Sequence, residues 1–463
     1  MWEQNKDAPV WSFLQSLAAL LSVHAGTLLG GTVLPIILTR FLGAEALGIF
    51  TFAASFGLLL LTIIDWGYET RLPLLSASAP ESALELVSQA QAAKFRLWYI
   101  ALLCIILLYA AYFLVPVALF QSTPLQSTSL HNTSSQTTLL TIAPLALYAA
   151  WAIARGMTMT YSAVLRGLQR FGAIARVENI GTLSSHGAAV LLVMIAVAKN
   201  DNLHGTMPPE QVVMLLCGII MCFVAGEAAK FFALRKELQE QEHNRSASSK
   251  AASTQVRSTF GIPLTWSHLV FVMMQATAIV QSRAGIYALM LLSTPLEIGI
   301  AGAVMRFTIA MRLLPGALFH VLLPHFVRSP KRETLGKALA IGLVIGLAGS
   351  GGLFIAAEWL IGLVYGAKFL HLAPLLRIAA WIFCLQTLGQ VLESYLLARQ
   401  KERAVNWAMF LCLCSFAAVC VSLTVMTAEI AIWSSLVLES ALLLVFGGII
   451  LADKPQQENQ NSL

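Results

Sequence analysis

Charge is scarce in this sequence. Only 11% of its 463 residues are Asp, Glu, Lys or Arg, while 58% are apolar, and mean hydropathy is +0.76. A soluble domain carries about 25% charged and about 45–50% apolar residues. A large soluble globule is therefore excluded, and a polytopic membrane protein is indicated. Cysteine is sparse as well: Cys104, Cys217, Cys222, Cys384, Cys412, Cys414 and Cys420 all lie inside apolar runs. No Cys-x-x-Cys and no Cys/His cluster at zinc spacing occurs, so neither disulfides, a metal nor a cofactor is expected. The chain has no Gly-x-x-x-x-Gly-Lys-Ser/Thr loop to cradle nucleotide phosphates, which argues against ATP hydrolysis. The net charge of +6 is spread over short loops with no aromatic-interleaved basic patch, so nucleic acid is not an expected partner. Trp11–Leu38 is too long for the apolar core of a signal peptide and ends without a small-residue cleavage site; it reads as a first, retained helix.

What the chain does have is apolar length. A membrane-crossing helix needs about 20 mostly apolar residues. Twelve stretches qualify: 12–39, 46–68, 97–120, 138–165, 177–198, 211–234, 264–292, 297–325, 338–364, 373–398, 404–426 and 428–451. Between the sixth and seventh lies Leu234–Pro263, rich in Ser, Gln and Glu and carrying Arg235, Lys236, Arg245, Lys250 and Arg257. It has no evident apolar face, and a polar run of this kind reads as a mobile linker. The predicted plan is an N-terminal lobe (1–234), a linker (235–262) and a C-terminal lobe (263–463). With the N-terminus inside, twenty Lys and Arg fall in cytoplasmic loops and tails. Lys94 and Arg96 are among them, against Arg40, Lys199 and Lys368 on the opposite side. The positive-inside rule then sets both termini in the cytoplasm. The outer loops are short; the longest, 121–137, is Ser/Thr-rich and includes the sequon Asn132-Thr133-Ser134. None is long enough to fold into an extramembrane catalytic domain.

The two lobes share weak internal similarity. Arg40-Phe-Leu-Gly-Ala-Glu45-Ala-Leu-Gly48 matches Leu292-Ser-Thr-Pro-Leu-Glu297-Ile-Gly299, and YSAVLRGLQRFGAIA (161–175) matches ESYLLARQKERAVNW (393–407). Corresponding segments sit about 230–250 residues apart with the same sidedness, the pattern of a parallel repeat in transporter folds.

At these junctions LTRFLGAEALGIFTFAASF with DWGYE resembles the opening of the polysaccharide-export flippases (O-antigen, Wzx type) of the multidrug/oligosaccharidyl-lipid/polysaccharide exporter superfamily. TPLEIGIAGAVMRFTIAMRLLPGALFHVLLPHF, LIGLVYGAKFLHLAPLLRIAAWIF and LLARQKERAVNW resemble later segments of the same family. The resemblance spans nearly the whole chain, in short and mostly apolar motifs. It implies an all-α polytopic protein of about 12 transmembrane helices, in two pseudo-symmetric six-helix lobes around a central cavity open alternately to each side. The implied cargo is a polyprenyl-pyrophosphate-linked glycan. The implied setting is the cell inner membrane, with membrane lipid and other polysaccharide-assembly proteins as partners. Many relatives carry an Asp in the seventh helix where this chain has Gln281-Ser-Arg283-Ala, so the charge there does not transfer.

Ionisable residues at membrane depth cost about 2.5–3.5 kcal/mol each on insertion scales. Arg155, Arg283, Arg306 and Arg312 together would cost on the order of 10–14 kcal/mol against lipid, comparable with a domain's whole net stability of about 5–15 kcal/mol. They are expected either to line a wet cavity or to pair internally. For a pyrophosphate cargo arginine is the fitting residue, because its planar fork binds phosphate oxygens bidentately. Arg306 also matches a basic position of the family pattern, and Arg40 its Arg-x-Leu-Gly motif, with a structural role at the helix end equally open. Asp65 and Glu69, four apart, are candidates for gating or for plain interfacial ion pairs. Glu439, mid-stretch with no cation within one turn, is a candidate proton or cation site. Lys230 with Glu227 reads as a local helix pair with a snorkelling lysine. Glu393 is read as structural beside Arg399, Arg377 as snorkelling outward, and His24 and His186 as satisfied core histidines. Pro35, Pro116, Pro144 and Pro315 interrupt helices, and Gly342, Gly346, Gly349, Gly351 and Gly352 form a small-residue packing face. The leading function is a lipid-linked oligosaccharide flippase with no catalytic residues. The alternatives are a cation-coupled multidrug exporter of the same superfamily and a membrane glycan polymerase or ligase.

Overall fold

The computed structural model describes residues 31–78, 80–114, 135–199, 208–248, 266–311, 331–423 and 425–453, with Ser22, Gly26, Pro315, Leu322 and Phe326. Its helices are α1 (Gly31–Leu42), α2 (Ala44–Asp65), α3 (Tyr68–Ser78), α4 (Ala83–Leu114), α5 (Ser135–Gly167), α6 (Phe171–Lys199) and α7 (Pro209–Ser248). They continue as α8 (Trp266–Ser282), α9 (Ala284–Leu292), α10 (Pro295–Met311), α11 (Arg332–Val364), α12 (Ala373–Ala398), α13 (Glu402–Ser422) and α14 (Ala428–Ala452). No strand occurs among the described residues. The sequon, Pro116 and His24 lie outside them.

The packing is that of helices in lipid. On α11 the buried side carries Ala338, Gly342, Gly346, Ser350 and Ala357, while Val344, Ile355, Trp359 and Leu363 are exposed. Small residues inside and large apolar residues outside make sense where the surroundings are as apolar as leucine. A Cβ added at Gly346 would meet Cys384 Sγ at 2.9 Å, so these glycines let α11 lie close along α12, where Ser350 also donates to Ala380 O at 2.7 Å. Seven described helices are long and apolar enough to cross a membrane. The fold is an all-α, multi-pass membrane fold.

Several boundaries differ from the sequence reading, each for a local reason. The 46–68 stretch ends at Asp65, because Trp66 (φ 47°) and Gly67 (φ 75°) both turn left-handed and start α3 on a new axis. The 97–120 stretch begins earlier: α4 starts at Ala83, and Lys94, assigned above to a loop, is fully buried within it. The linker is corrected most. Arg235–Ser248 continues α7, built from strong helix formers, and it does have an apolar face. Leu234 and Leu238 are both 0% exposed, packed with Tyr161, Leu165 and Ile174, with Phe231 partly buried beside them. Residues 249–262 lie outside the described part. The 264–292 stretch is interrupted at Arg283 (φ −130°, ψ 15°), which separates α8 from α9.

The chain forms two compact units. One comprises Met1–Ile37 and Ala53–His268, the other Leu38–Phe52 and Leu269–Leu463. The expected repeat has a backbone signature in each. In the first unit Gln169 takes φ 59°, its N–H donating to Arg166 O (3.0 Å) and that of Arg170 to Leu165 O (2.9 Å). In the second, Gln400 takes φ 58°, its N–H donating to Leu397 O (2.9 Å) and that of Lys401 to Leu396 O (3.0 Å). Both are left-handed helix stops of Schellman type. The other repeated motif shows within the second unit, where the start of α2 crosses the start of α10. A Cβ on Gly48 would run into the Pro295 carbonyl, and one on Gly299 into that of Ala44. The two equivalent glycines thus bring two backbones into contact.

Candidate functional site

In the first unit the buried charges are matched. Arg155 (α5) donates to Glu178 Oε2 (α6) at 2.9 Å and lies 3.4 Å from Glu227 Oε2 (α7). Lys230, one turn from Glu227 on α7, reaches Glu227 at 2.9 Å, Glu178 at 3.2 Å and Thr182 Oγ1 at 2.9 Å. Its stem runs over Gly181, where any side chain would collide with it. Lys230 is 4% exposed, so it does not snorkel; it is the second cation of a two-acid, two-base cluster. Of the two arrangements open for Arg155, internal pairing is the one observed. Sequence reasoning misses Glu178 because an apolar stretch counted from 177 leaves it at the very end. The helix begins at Phe171, which carries Glu178 about two turns inward.

Asp65 is closed in the same way. Lys94 Nζ donates to its Oδ1 at 2.7 Å and to Gly156 O at 3.0 Å, and the Glu69 N–H donates to Asp65 Oδ2 at 3.2 Å. One carboxylate therefore ties the α2–α3 corner to α4, and the same lysine ties both to α5. Glu69 pairs with Arg166 at 2.8 Å, both half-buried. His186 is satisfied against Thr182 O at 2.8 Å.

The second unit places its polar groups differently. Glu439 (α14), 8% exposed, accepts from Gln281 Nε2 (α8) at 3.1 Å and Gln386 Nε2 (α12) at 2.7 Å. One and two turns further along α12, Gln390 donates to Glu393 at 2.8 Å. The expected neighbour of Glu393, Arg399, instead pairs with Asp453 at 3.3 Å, joined by Lys401 at 3.2 Å. Arg377 meets Glu358 at 2.8 Å toward the surface.

The α8–α9 break organises a cleft in this unit. Ser282, Arg283 and Ile286 line it from one side, Gly302, Met305, Arg306 and Ile309 of α10 from another, and Thr51 of α2 closes it. Two of the four arginines singled out in the sequence thus line one cleft. Arg40 is exposed at the end of α1, its carbonyl accepting from Lys368 Nζ at 3.3 Å, and is not part of this cleft. Arg312 lies outside the described residues. A larger cavity, about 590 Å³, opens between the α5–α6 turn and α7. It is a solvated groove whose Arg176–Glu237 pair, at 3.7 Å, is largely exposed. No cluster of three or more potential metal ligands occurs among the described residues.

A multi-pass helical fold with ion pairs buried among its helices defines a polytopic membrane protein. Residues 13–329 match the family model for polysaccharide biosynthesis proteins, and the chain belongs to that family. Among solved structures it is similar to the lipid II flippase MurJ in an inward closed conformation, at 11% identity and TM-score 0.62, covering 94% of this chain and 87% of that one. A chain described as "protein A" follows at 13% identity and TM-score 0.52, covering 97% of each. A mutant of the MATE transporter VcmN of Vibrio cholerae matches at 14% identity and TM-score 0.47, covering 96% of each. No curated protein matches the chain in sequence.

Proposed function

We propose that the chain is a flippase that moves a polyprenyl-pyrophosphate-linked oligosaccharide from the inner to the outer leaflet of the cell inner membrane. It works by alternating access with both termini cytoplasmic, in the assembly of cell-surface polysaccharide. The observation that carries this reading is the cleft at the α8–α9 break, which Arg283 and Arg306 both line. Two guanidinium groups beside an interrupted helix suit a diphosphate: the forks give bidentate charge-assisted hydrogen bonds, and a half-helix N-terminus favours anions. Membership of a polysaccharide biosynthesis family supports a glycan cargo. In this reading Arg312 is a further cargo-binding residue and Arg40 meets the head group at the membrane edge. Arg155 contributes to cargo passage through the one face its ion cluster leaves partly exposed. Glu69 with Arg166 acts as a gating pair anchored by Asp65.

A second reading, a cation-coupled drug exporter, draws on Glu439, a buried acid held by two amides. The same acid serves a flippase as its coupling site, so cargo separates the readings. In proteoliposomes with a fluorescent polyprenyl-pyrophosphate oligosaccharide, Arg283→Ala and Arg306→Ala should each slow flipping about tenfold or more, since a hydrogen bond to a charged group contributes about 1.5–3 kcal/mol. Wild-type flipping in both variants, or transport of cationic drugs with none of the lipid-linked glycan, would overturn the flippase.

A further inference from the structure

The cleft holds one polar group that no atom of the described residues answers. Thr51 is 3% exposed, and its Oγ1 has no hydrogen-bond partner among the described residues. Buried hydroxyls are nearly always paired, because burial without a partner is unfavourable. Its neighbours show the contrast: Ser282 Oγ donates to Ile279 O at 2.8 Å, and Thr308 Oγ1 of α10 donates to Met305 O at 2.8 Å. Ordinary helical back-bonding, which satisfies those two hydroxyls, is not used by Thr51.

Position supplies the reason. Thr51 sits one turn beyond the Gly48–Gly299 crossing, and the glycine facing it is Gly302, where an added Cβ would lie 3.0 Å from Thr51 Oγ1. The absence of a side chain at 302 leaves room beside the hydroxyl, in the cleft that Arg283 and Arg306 also line. The opening is narrow, about 10 Å³, the size of a single oxygen-centred group and too small for a whole phosphate.

We propose that Thr51 is a specificity-determining residue of this site: its hydroxyl donates to one phosphate oxygen of the cargo, inserted between Arg283 and Arg306. The inference rests on the flippase reading and adds to it a neutral donor from α2. A hydroxyl that points at an anion discriminates by geometry where guanidinium groups act mainly by charge. It therefore favours the terminal phosphate of a diphosphate over the single phosphodiester of an ordinary anionic phospholipid.

The test is binding by the purified full-length protein in detergent, with undecaprenyl pyrophosphate as probe, undecaprenol as the uncharged control and phosphatidylglycerol as the generic anion. Thr51→Val keeps the shape and deletes the hydroxyl. It should weaken undecaprenyl pyrophosphate binding about tenfold, leave undecaprenol and phosphatidylglycerol unchanged, and raise the thermal midpoint of the unliganded protein, because an unanswered polar group is gone. Thr51→Ser should restore affinity to within about threefold of wild type. A purely structural threonine would do the reverse, lowering the midpoint while sparing the selectivity. If Thr51→Val does not fold, Thr51→Ala compared with Thr51→Ser reads the same difference. Undiminished pyrophosphate affinity in the hydroxyl-free variants, with Arg283→Ala and Arg306→Ala impaired, would overturn the role of Thr51 and leave the flippase reading standing. A wild-type protein that binds undecaprenol as tightly as the pyrophosphate would overturn both.

Discussion

The two units solve the problem of burying polar groups in opposite ways. In the first, cations meet acids: Arg155 and Lys230 with Glu178 and Glu227, Lys94 with Asp65, every pair but Lys230–Glu227 joining one helix to another. In the second, the buried acid Glu439 is held by the amides of Gln281 and Gln386, and the ion pairs among the described residues lie toward helix ends, as in Arg399–Asp453 and Lys337–Glu333. A closed ion cluster is rigid, since removing one member strands its partner in low dielectric. A carboxylate held by neutral amides can change protonation without breaking an ion pair. The first unit therefore ties its polar centre together through charge, and in the second two amides reach the buried acid.

This contrast can be broken in graded steps. The largest effect is expected from Lys94→Met, which leaves Asp65 without its counter-charge and should cost about 3–5 kcal/mol, read as lost thermal stability in detergent. Asp65→Asn with Lys94→Met together should recover part of that loss, because no charge is then stranded; a double variant as unstable as the single one would count against the pair. Arg155→Leu should destabilise by a similar order, partly relieved by Glu227→Gln. That outcome would make reduced flipping in Arg155 variants a consequence of folding as much as of cargo contact. Gly48→Ala forces a methyl group onto the Pro295 carbonyl and should cost about 1–3 kcal/mol or more, as overpacking does. The smallest stability effect belongs to Glu439→Gln, about 0.5–1.5 kcal/mol, since one of its two accepting oxygens becomes a donor and a facing amide must flip to answer it. Its transport, however, should lose dependence on pH or on the driving cation. A large loss of stability there would erase the distinction between the units.

Much of the architecture was legible because apolar length is a one-dimensional signal. The 373–398 stretch coincides with α12 to the residue, and 428–451 falls one short of α14. The repeat was legible too, since both turns carry a glutamine at the same place and the paired glycines allow no side chain. The polar centre was less so. Lys94 reads as a loop cation until α4 is seen to start eleven residues before it. In the linker, Phe231, Leu234 and Leu238 fall at helical spacing, but the surrounding charge hid a stripe of only three side chains. The break at Arg283 has no proline to announce it. Its nearest sign is Gly285, where an added Cβ would lie 2.7 Å from the Ala431 carbonyl. Which arginines line the cleft is set by that break, and Thr51 stands out only through a hydroxyl left over in three dimensions.

The crossing of Gly48 and Gly299 also has a bearing on biosynthesis. Residues 38–52 belong with partners made about 240 residues later, and at roughly 5–20 residues per second that is a wait on the order of tens of seconds. During that time the start of α2 sits in the bilayer without its neighbour. A ribosome that stalls before α10 should therefore release a half-protein with one unfinished corner, and supplying the missing half from a second gene should complete it.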